Sequence, residues 1–362
     1  MVLRVHHYYP VNTSNSGDAL IAHALRQALE RHFGLCEFED IPAIKRGQPA
    51  DVAIGLCRAN IARNNAEADL VLIGGSNLLE PRKIRSTNDC NFPLEIDPDA
   101  LPSLRVPLLL AGMGTGSSFG KSVRSYSPRA QQTLHWLFSN ALGHAVRDET
   151  TVERLGQIGI ATHCTGCPVT FLTPRPVAAQ DSRLPLLVSF PPARILKRFG
   201  GTSFMRLAMR YVGWLRTEGV PLVVTLHDET DWPAAQSWVL PGIDIFCAQN
   251  MHELIARFEE SRGVVGFRLH ASLLALGLGK PIVPVSFDWR GRAFVETFGL
   301  SDVAARPFRL GQFTKLQRAT CLLLENDPVY LARLDLIKHQ YRERQEAFFH
   351  GAAQRIHRSA AA

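Results

Sequence analysis

The sequence predicts an α/β fold made of two Rossmann-like domains that face each other across a cleft. Apolar, β-branched runs alternate with helical patterns from end to end, which is typical of parallel sheets covered by helices. A proline-bearing polar stretch, residues 172–183, lies between two such sets and fits an interdomain linker. We therefore expect one domain over residues 1–175, a linker over 176–183, a second domain over 184–326 and a helical segment over 327–362.

The first domain is predicted from short apolar runs separated by segments with apolar residues at helical spacing. The strands are expected at Leu3–His7, Leu70–Ile73, Pro107–Ala111 and His144–Arg147. The helices are expected at Asp18–His32, Pro128–Asn140 and Thr150–Leu155. Asp18 stands where an acidic residue would cap the first helix.

The second domain repeats the same alternation after the linker. Its strands are expected at Leu184–Phe190, Pro221–Leu226, Ile243–Ala248, Gly263–Arg268 and Pro281–Ser286. Its helices are expected at Thr202–Thr217 and Met251–Glu260, with a short Leu/Ala/Gly helical pattern after Arg268 and a last helix at Val329–His350.

Composition and charge restrict the classes of function. The chain has 362 residues, a net charge of +7 and a pI near 9.2, which favours anionic partners. We expect no nucleic-acid binding, because the arginines are scattered and no Lys/Arg stripe is interleaved with aromatics. The apolar runs are shorter than a membrane span and no secretory signal is recognisable, so the expected location is cytoplasmic. Seven scattered cysteines favour reduced thiols over a disulfide framework.

Three glycine-containing turns follow predicted strands of the first domain. They are Asn15-Ser16-Gly17-Asp18, Gly74-Gly75 and Gly112 to Gly116. Ligands of open α/β sheets bind outside the carboxyl ends of the strands, and glycines there permit close backbone approach. The amides of the first turn could hold an anion at a helix N-terminus. We therefore assign Asn15, Gly17, Asp18, Gly74, Gly75 and Gly114 to the binding of an anionic ligand.

Arg268 and His270 stand at the corresponding end of a strand in the second domain. An arginine offers a planar fork for carboxylate or phosphate, and a histidine transfers protons near neutral pH. The pair indicates an anionic substrate that gains or loses a proton. His227 and Asp228 end another strand and are candidates for binding an acceptor hydroxyl.

The order of these motifs resembles the polysaccharide pyruvyl transferase family from about residue 5 to about residue 300. The resemblance rests on the three glycine turns, Arg147-Asp148 with Thr150-Thr151, Gly166 to Leu172, Arg268-Leu269-His270, Gly279-Lys280-Pro281 and Phe287-Asp288. Three positions depart from the family pattern: Cys167 replaces an aspartate, Arg290 replaces a lysine and Ser76 replaces a third glycine.

The resemblance implies a GT-B-like fold and transfer of pyruvate from phosphoenolpyruvate to two hydroxyls of a sugar, forming a cyclic ketal. It implies a donor site of Arg147, Arg268, Leu269 through its backbone, and His270, with Arg290 in support. His270 would transfer the proton and Arg268 would stabilise the anion. Phosphoenolpyruvate would be a co-substrate, and no other cofactor or metal is expected.

Two alternatives stay open, and the sequence indicates no oligomeric state. One is a GT-B-like glycosyltransferase in which Arg268 and His270 hold a nucleotide diphosphate. The other is a sugar-binding member of the fold without catalysis. Family acceptors are often lipid-linked, and Phe204 to Arg216 forms a basic amphipathic helix that could touch the inner face of a membrane. Packing of its apolar side on a sheet is the favoured interpretation.

Overall fold

The computed structural model describes residues 2–11, 16–45, 48–49, 51–82, 90–116, 124–172, 176, 181–197, 200–306 and 311–361. They form two α/β domains, each built on a five-stranded parallel sheet. The predicted fold class is confirmed. All strands of the first sheet precede residue 147, and all strands of the second follow residue 185.

In the first domain the strands lie in the order β2-β1-β3-β4-β5. Their bounds are β1 Leu3–Tyr9, β2 Cys36–Pro42, β3 Leu70–Gly74, β4 Leu108–Met113 and β5 Gly143–Val146. The helices are α1 Ser16–Phe33, α2 Arg58–Glu67, α3 Pro128–Asn140 and α4 Glu149–Gly156. The buried strands β3 and β4 are wholly apolar apart from glycine, as expected for a sheet covered on both faces.

In the second domain the strands lie in the order β10-β9-β6-β7-β8. Their bounds are β6 Leu186–Ser189, β7 Leu222–Leu226, β8 Asp244–Cys247, β9 Gly263–Gly266 and β10 Ile282–Pro284. The helices are α5 Gly201–Thr217, α6 Trp232–Trp238, α7 Met251–Glu259, α8 Leu269–Gly277, α9 Trp289–Thr297, α10 Gln312–Leu324 and α11 Pro328–Ala361.

Strand order reverses between β1 and β3 in the first sheet and between β6 and β9 in the second. At such a switch point the connections leave on opposite faces of the sheet and open a crevice at the carboxyl ends of the strands. The fold therefore places the turns after β1, β3, β6 and β9 at the edge where open α/β sheets generally bind ligands.

One sequence-based expectation needs correction, and another, the packing of the helix around Phe204 to Arg216 on its sheet, agrees with the structure. α1 begins at Ser16 rather than at residue 18, so Asp18 lies inside the first helical turn and does not cap the helix. Its carboxylate still complements the positive end of the helix dipole there. The apolar side of α5 is buried in the core, through residues such as Phe204 and Leu215, and does not form an exposed membrane-binding face.

The last helix, α11, returns to the first domain. Tyr341 donates a hydrogen bond to the carbonyl of Thr297 at 2.6 Å, and Glu346 pairs with Arg31 and His32 of α1 at 2.7 Å each. α11 thereby packs against α1 while also contacting the end of α9. No helix in the described part of the chain combines the length and apolar content needed to cross a membrane.

Candidate functional site

The first turn of α1 connects the two domains at the cleft. Both the amide and the hydroxyl of Ser16 donate to the carbonyl of His227, at 3.3 and 3.1 Å. The next residue, Gly17, lies so close to the imidazole of His270 that a Cβ atom there would overlap the ring. Two consecutive residues of the first domain thus contact two histidines of the second, and Gly17 is required for the close approach.

Arg147 follows β5, and its side chain is only 4% exposed. Its guanidinium donates to Asn77 Oδ1 at 2.5 Å and to Asp148 Oδ2 at 3.3 Å. Asp148 is held in turn by the amide and hydroxyl of Thr151, because it caps α4. A Cβ atom at Gly114 would lie 2.5 Å from Arg147 Nε, so this glycine provides the space that the guanidinium occupies.

Arg290 extends from the second domain toward the region of Asn77. It lies in the first turn of α9 and donates to Asp288 Oδ2 at 2.9 and 2.6 Å, while Asp288 Oδ1 caps the helix. A Cβ atom on Gly116 would lie 3.0 Å from Arg290 Cγ and 3.6 Å from Asn77 Oδ1. Arg147 and Arg290 therefore enter the cleft from opposite domains near Asn77, and the hydrogen bond to Asn77 comes from Arg147.

Burial and the surrounding positive charges keep the ring of His270 neutral. Burial lowers the pKa of His270 well below its usual value, and the positive charges of Arg147 and Arg290 lower it further. Nε2 of this ring has no hydrogen-bond partner among the described residues. Burial alone would lower the pKa of Arg290, but the carboxylates of Asp288 and Asp18 outweigh it and raise that pKa. The cluster therefore holds two permanent cations beside a neutral imidazole.

Arg268, at the start of α8, binds groups of its own domain. Its guanidinium donates to the carboxylate of Asp231 and, at 3.2 Å, to the carbonyl of Phe190. Burial lowers the pKa of Arg268 to about 9, against the opposing charge of Asp228, so the side chain stays protonated at neutral pH. Both strong contacts lie within its own domain. Its assigned role in catalysis stays a prediction, and the contacts favour a role in supporting the site.

The other residues assigned to donor binding differ in what the structure shows of them. Gly74 and Gly75 provide room for the α1 side chains Leu25 and Ile21, since Cβ atoms there would overlap these side chains. Their contacts explain helix packing, and their assigned role in donor binding stays a prediction. Leu269 is the first residue of α8, so its amide is one of the four that helix geometry leaves unpaired. Asn15 lies outside the described residues.

His227 and Asp228 end β7. The His227 ring is buried, and burial together with the charge of Arg268 lowers its pKa to about 3. Asp228 is half-buried and caps the following turn by accepting from the amide and hydroxyl of Thr230 at 3.1 and 2.6 Å. The structure thus brings His227 to the cleft beside His270, while one oxygen of Asp228 is occupied by the turn.

Of three residues that contact the site arginines, two carry no signal in the sequence. Asn77 accepts from Arg147, Asp231 accepts from Arg268 and Asp288 accepts from Arg290. Only Asp288 could have been found, because Asp-x-Arg at the start of a helix predicts a capping residue that also pairs with the arginine.

Potential metal ligands lie elsewhere. Among the described residues, the grouping with suitable spacing is His6, Glu39 and Glu67, on the β1/β2 side of the first sheet. Arg63 already pairs with Glu39 at 2.8 Å, and His6 is held by Glu39 and Asn64. A positive charge bound to one of the carboxylates disfavours a cation there.

Two parallel α/β domains with a cationic cluster between them define a protein of the GT-B-like class. A family model described as polysaccharide pyruvyl transferase matches residues 15–288. The chain therefore belongs to the polysaccharide pyruvyl transferase family, a family of transferases acting on polysaccharide. Among proteins with curated functions, none matches the chain significantly.

Solved structures support the fold. The UDP complex of S. aureus MnaA is 12% identical with a TM-score of 0.51, over 92% of this chain and 91% of that one. A putative UDP-N-acetylglucosamine 2-epimerase from Listeria monocytogenes is 12% identical with a TM-score of 0.52, over 93% and 91%. UDP-GlcNAc 2-epimerase from Methanocaldococcus jannaschii is 10% identical with a TM-score of 0.50, over 90% and 93%. At these identities the likeness concerns the fold alone.

Proposed function

We propose that this protein transfers pyruvate from phosphoenolpyruvate onto two hydroxyls of a sugar and forms a cyclic ketal. The observation that carries the proposal is the convergence of Arg147 and Arg290, from opposite domains, beside the neutral ring of His270. The acceptor would be a cell-surface polysaccharide or its lipid-linked precursor, and the reaction would take place in the cytoplasm or at the inner face of the membrane.

The donor's charges match this cluster. Phosphoenolpyruvate carries a carboxylate and a phosphate, and planar guanidinium groups bind both in a bidentate manner. Arg147 and Arg290 are largely buried, so little water competes for their hydrogen-bond donors. The amino-terminal end of α1 adds positive potential at Gly17. One anionic group would bind each arginine, and the donor would bridge the two domains.

His270 is the residue placed to move the proton. The methylene carbon of phosphoenolpyruvate must gain a proton before the adjacent carbon accepts a hydroxyl oxygen. In the free protein burial, together with the positive charges of Arg147 and Arg290, lowers the pKa of His270 and keeps the ring neutral. The negative donor compensates their charge, raises the pKa of His270 and lets the ring take up a proton before delivering it to the methylene carbon.

A nucleotide-sugar glycosyltransferase is the second candidate, because the solved structure of MnaA contains UDP in a similar fold. In that case Arg268 and His270 would contact the diphosphate. The engagement of Arg268 by Asp231 and Phe190 favours the pyruvyl transferase instead. A sugar-binding protein without catalysis would bind phosphoenolpyruvate and saccharide but turn over neither.

The test follows phosphate release from phosphoenolpyruvate with hexose glycosides that carry free neighbouring hydroxyl pairs. We expect release that depends on both substrates, and a decrease of about 10²- to 10⁴-fold in His270→Ala. His252→Ala is the matched control, because His252 is exposed on α7. Binding of UDP-sugar with no response to phosphoenolpyruvate would refute the proposal. Donor binding without phosphate release would identify the non-catalytic alternative.

A further inference from the structure

His227 has features that packing does not explain. Its ring is 4% exposed, yet neither Nδ1 nor Nε2 has a hydrogen-bond partner among the described residues. The ring packs edge-to-face with the ring of Phe258 on α7, with the two ring centroids 5.8 Å apart. An unpaired polar atom in the interior destabilises the fold, because it has given up its hydrogen bonds to water without replacing them. A leucine or phenylalanine would fill this space without that cost, so the imidazole indicates a functional partner.

Other unpaired polar atoms lie along the same sheet edge. Thr225 Oγ1 and Ser272 Oγ are buried without partners in the described part of the chain. Thr225 is in register with Ser189 on β6, and Ser189 is in register with Gly266 on β9. A Cβ atom on Gly266 would touch Ser272. The carboxyl edge of the second sheet thus presents a row of hydroxyls below α8, the helix that carries His270.

The fold also fixes the position of His227 relative to His270. Ser16 binds the carbonyl of His227, and Gly17 touches the ring of His270. Both histidines therefore flank the first turn of α1, where the two domains meet. Within the described part of the chain, the titratable groups that act electrostatically with His227 are Arg268 and His270, and α7 packs the uncharged Phe258 against the ring.

The reaction needs a second proton carrier. Two sugar hydroxyls lose two protons, one of which ends on the methyl group and the other on the released phosphate. His270 cannot give a proton to the methylene carbon and accept one from the attacking hydroxyl in the same step. Burial and the charge of Arg268 keep His227 neutral, so its ring carries a lone pair that no described residue occupies, and the negative charge of a bound donor would raise its pKa toward that of a working proton acceptor.

We propose that His227 is the acceptor-side catalytic residue, which takes the proton of the attacking sugar hydroxyl while His270 protonates the methylene carbon. This inference rests on the proposed function. In the first step a bond forms between the hydroxyl oxygen and the central carbon of the donor. In the second, the bond from that carbon to the phosphate oxygen breaks, and His227 returns its proton to the phosphate. The second hydroxyl then adds, gives its proton to His270 and restores both rings.

The experiment compares His227→Gln with the wild type and with His252→Gln, an exposed histidine on α7. We expect His227→Gln to bind phosphoenolpyruvate within about threefold of the wild type and to lose about 10²- to 10⁴-fold in kcat. Added imidazole should partly restore turnover to His227→Ala, because it replaces a proton acceptor. Full turnover of His227→Gln would overturn the inference.

Ketal formation by the wild type and NMR of its histidines distinguish failure of the proposed function from failure of this inference. If the wild type forms no ketal, the proposed function fails and this inference with it; if it forms ketal and His227→Gln matches it, only the inference fails. If the variants do not fold, nitrogen NMR of labelled histidines in the wild type decides the question. The His227 ring signals should shift when the acceptor is added to the donor complex, and unchanged signals would overturn the proposal.

Discussion

Replacing Gly114 with alanine should displace Arg147 from the position that the donor requires. The added Cβ would lie 2.5 Å from Arg147 Nε and 2.9 Å from Cζ, whereas ordinary contact begins at 3.4 Å. The guanidinium must therefore retreat by about 0.9 Å, the difference between the contact limit and the available distance. A shift of that size lengthens or breaks its 2.5 Å hydrogen bond to Asn77.

Gly114→Ala should lower both the catalytic rate and the stability of the protein. A displacement near 1 Å in a substrate-positioning group costs about 10²-fold in kcat/KM. Overpacking of a buried site costs about 1–3 kcal/mol. With an unfolding entropy of about 2.1 cal/mol/K per residue, that destabilisation lowers Tm by about 1–4 °C for a chain of this length.

The assay measures phosphate release against phosphoenolpyruvate concentration, together with Tm by calorimetry. Gly156→Ala is the matched control, because a Cβ atom on Gly156, at the end of α4, would have no neighbour within 4 Å. The double variant Gly114→Ala/Arg147→Ala should be no less active than Arg147→Ala alone, because the guanidinium that the added Cβ displaces is already absent. Wild-type kinetics and Tm in Gly114→Ala would show that Arg147 does not occupy this position.

Three further predictions follow from the charges of the site. Arg290→Lys keeps the charge but loses the planar fork that binds Asp288 and, in the proposed complex, the donor, so KM for phosphoenolpyruvate should rise about tenfold. Arg292→Lys is the control: Arg292 forms an exposed pair with Glu296, and its replacement should leave KM unchanged. Arg268→Met and Asp231→Leu should each lower the free energy of unfolding by about 3–5 kcal/mol, because each leaves a buried charge unpaired. The double variant should lose less than the sum of the two, and additive losses would contradict the pairing. Below pH 6.5 the histidine binds a proton in the unfolded chain, whereas native His227 stays unprotonated until about pH 3. The free energy of unfolding, measured with denaturant, should therefore fall by about 2 kcal/mol between pH 7 and pH 5 because of this residue. His227→Phe should reduce this pH dependence, and an equal pH dependence in the variant and the wild type would contradict a lowered pKa.

Elements whose sequences show one clear periodicity could be predicted. β3, β4 and α3 were expected within a few residues of their observed bounds, because a fully buried strand or an amphipathic helix has a distinctive pattern. β2 was not predicted. Its residues, Cys36–Pro42, include three acidic side chains, which are compatible with its place at the edge of the sheet but hide its apolar pattern.

The candidate site was chosen by the rule that ligands bind at strand carboxyl ends, but that rule does not give the contacts within it. Arg268 and His270 are two residues apart in the sequence, yet their side chains point to different partners. The ring of His270 faces Gly17 of the other domain, while Arg268 binds Asp231. Such contacts depend on how two domains are packed, and the spacing of residues along one strand contains no information about that packing.

Carbon-labelled phosphoenolpyruvate tests the central claim most directly. The labelled donor is incubated with saccharide and the wild-type protein, and the product is examined by NMR beside Arg147→Ala and Arg290→Ala. We predict that the label appears in a ketal carbon bonded to two sugar oxygens in the wild-type reaction, and that both variants lose this signal. Label that stays in phosphoenolpyruvate while a UDP-sugar is consumed would contradict the account.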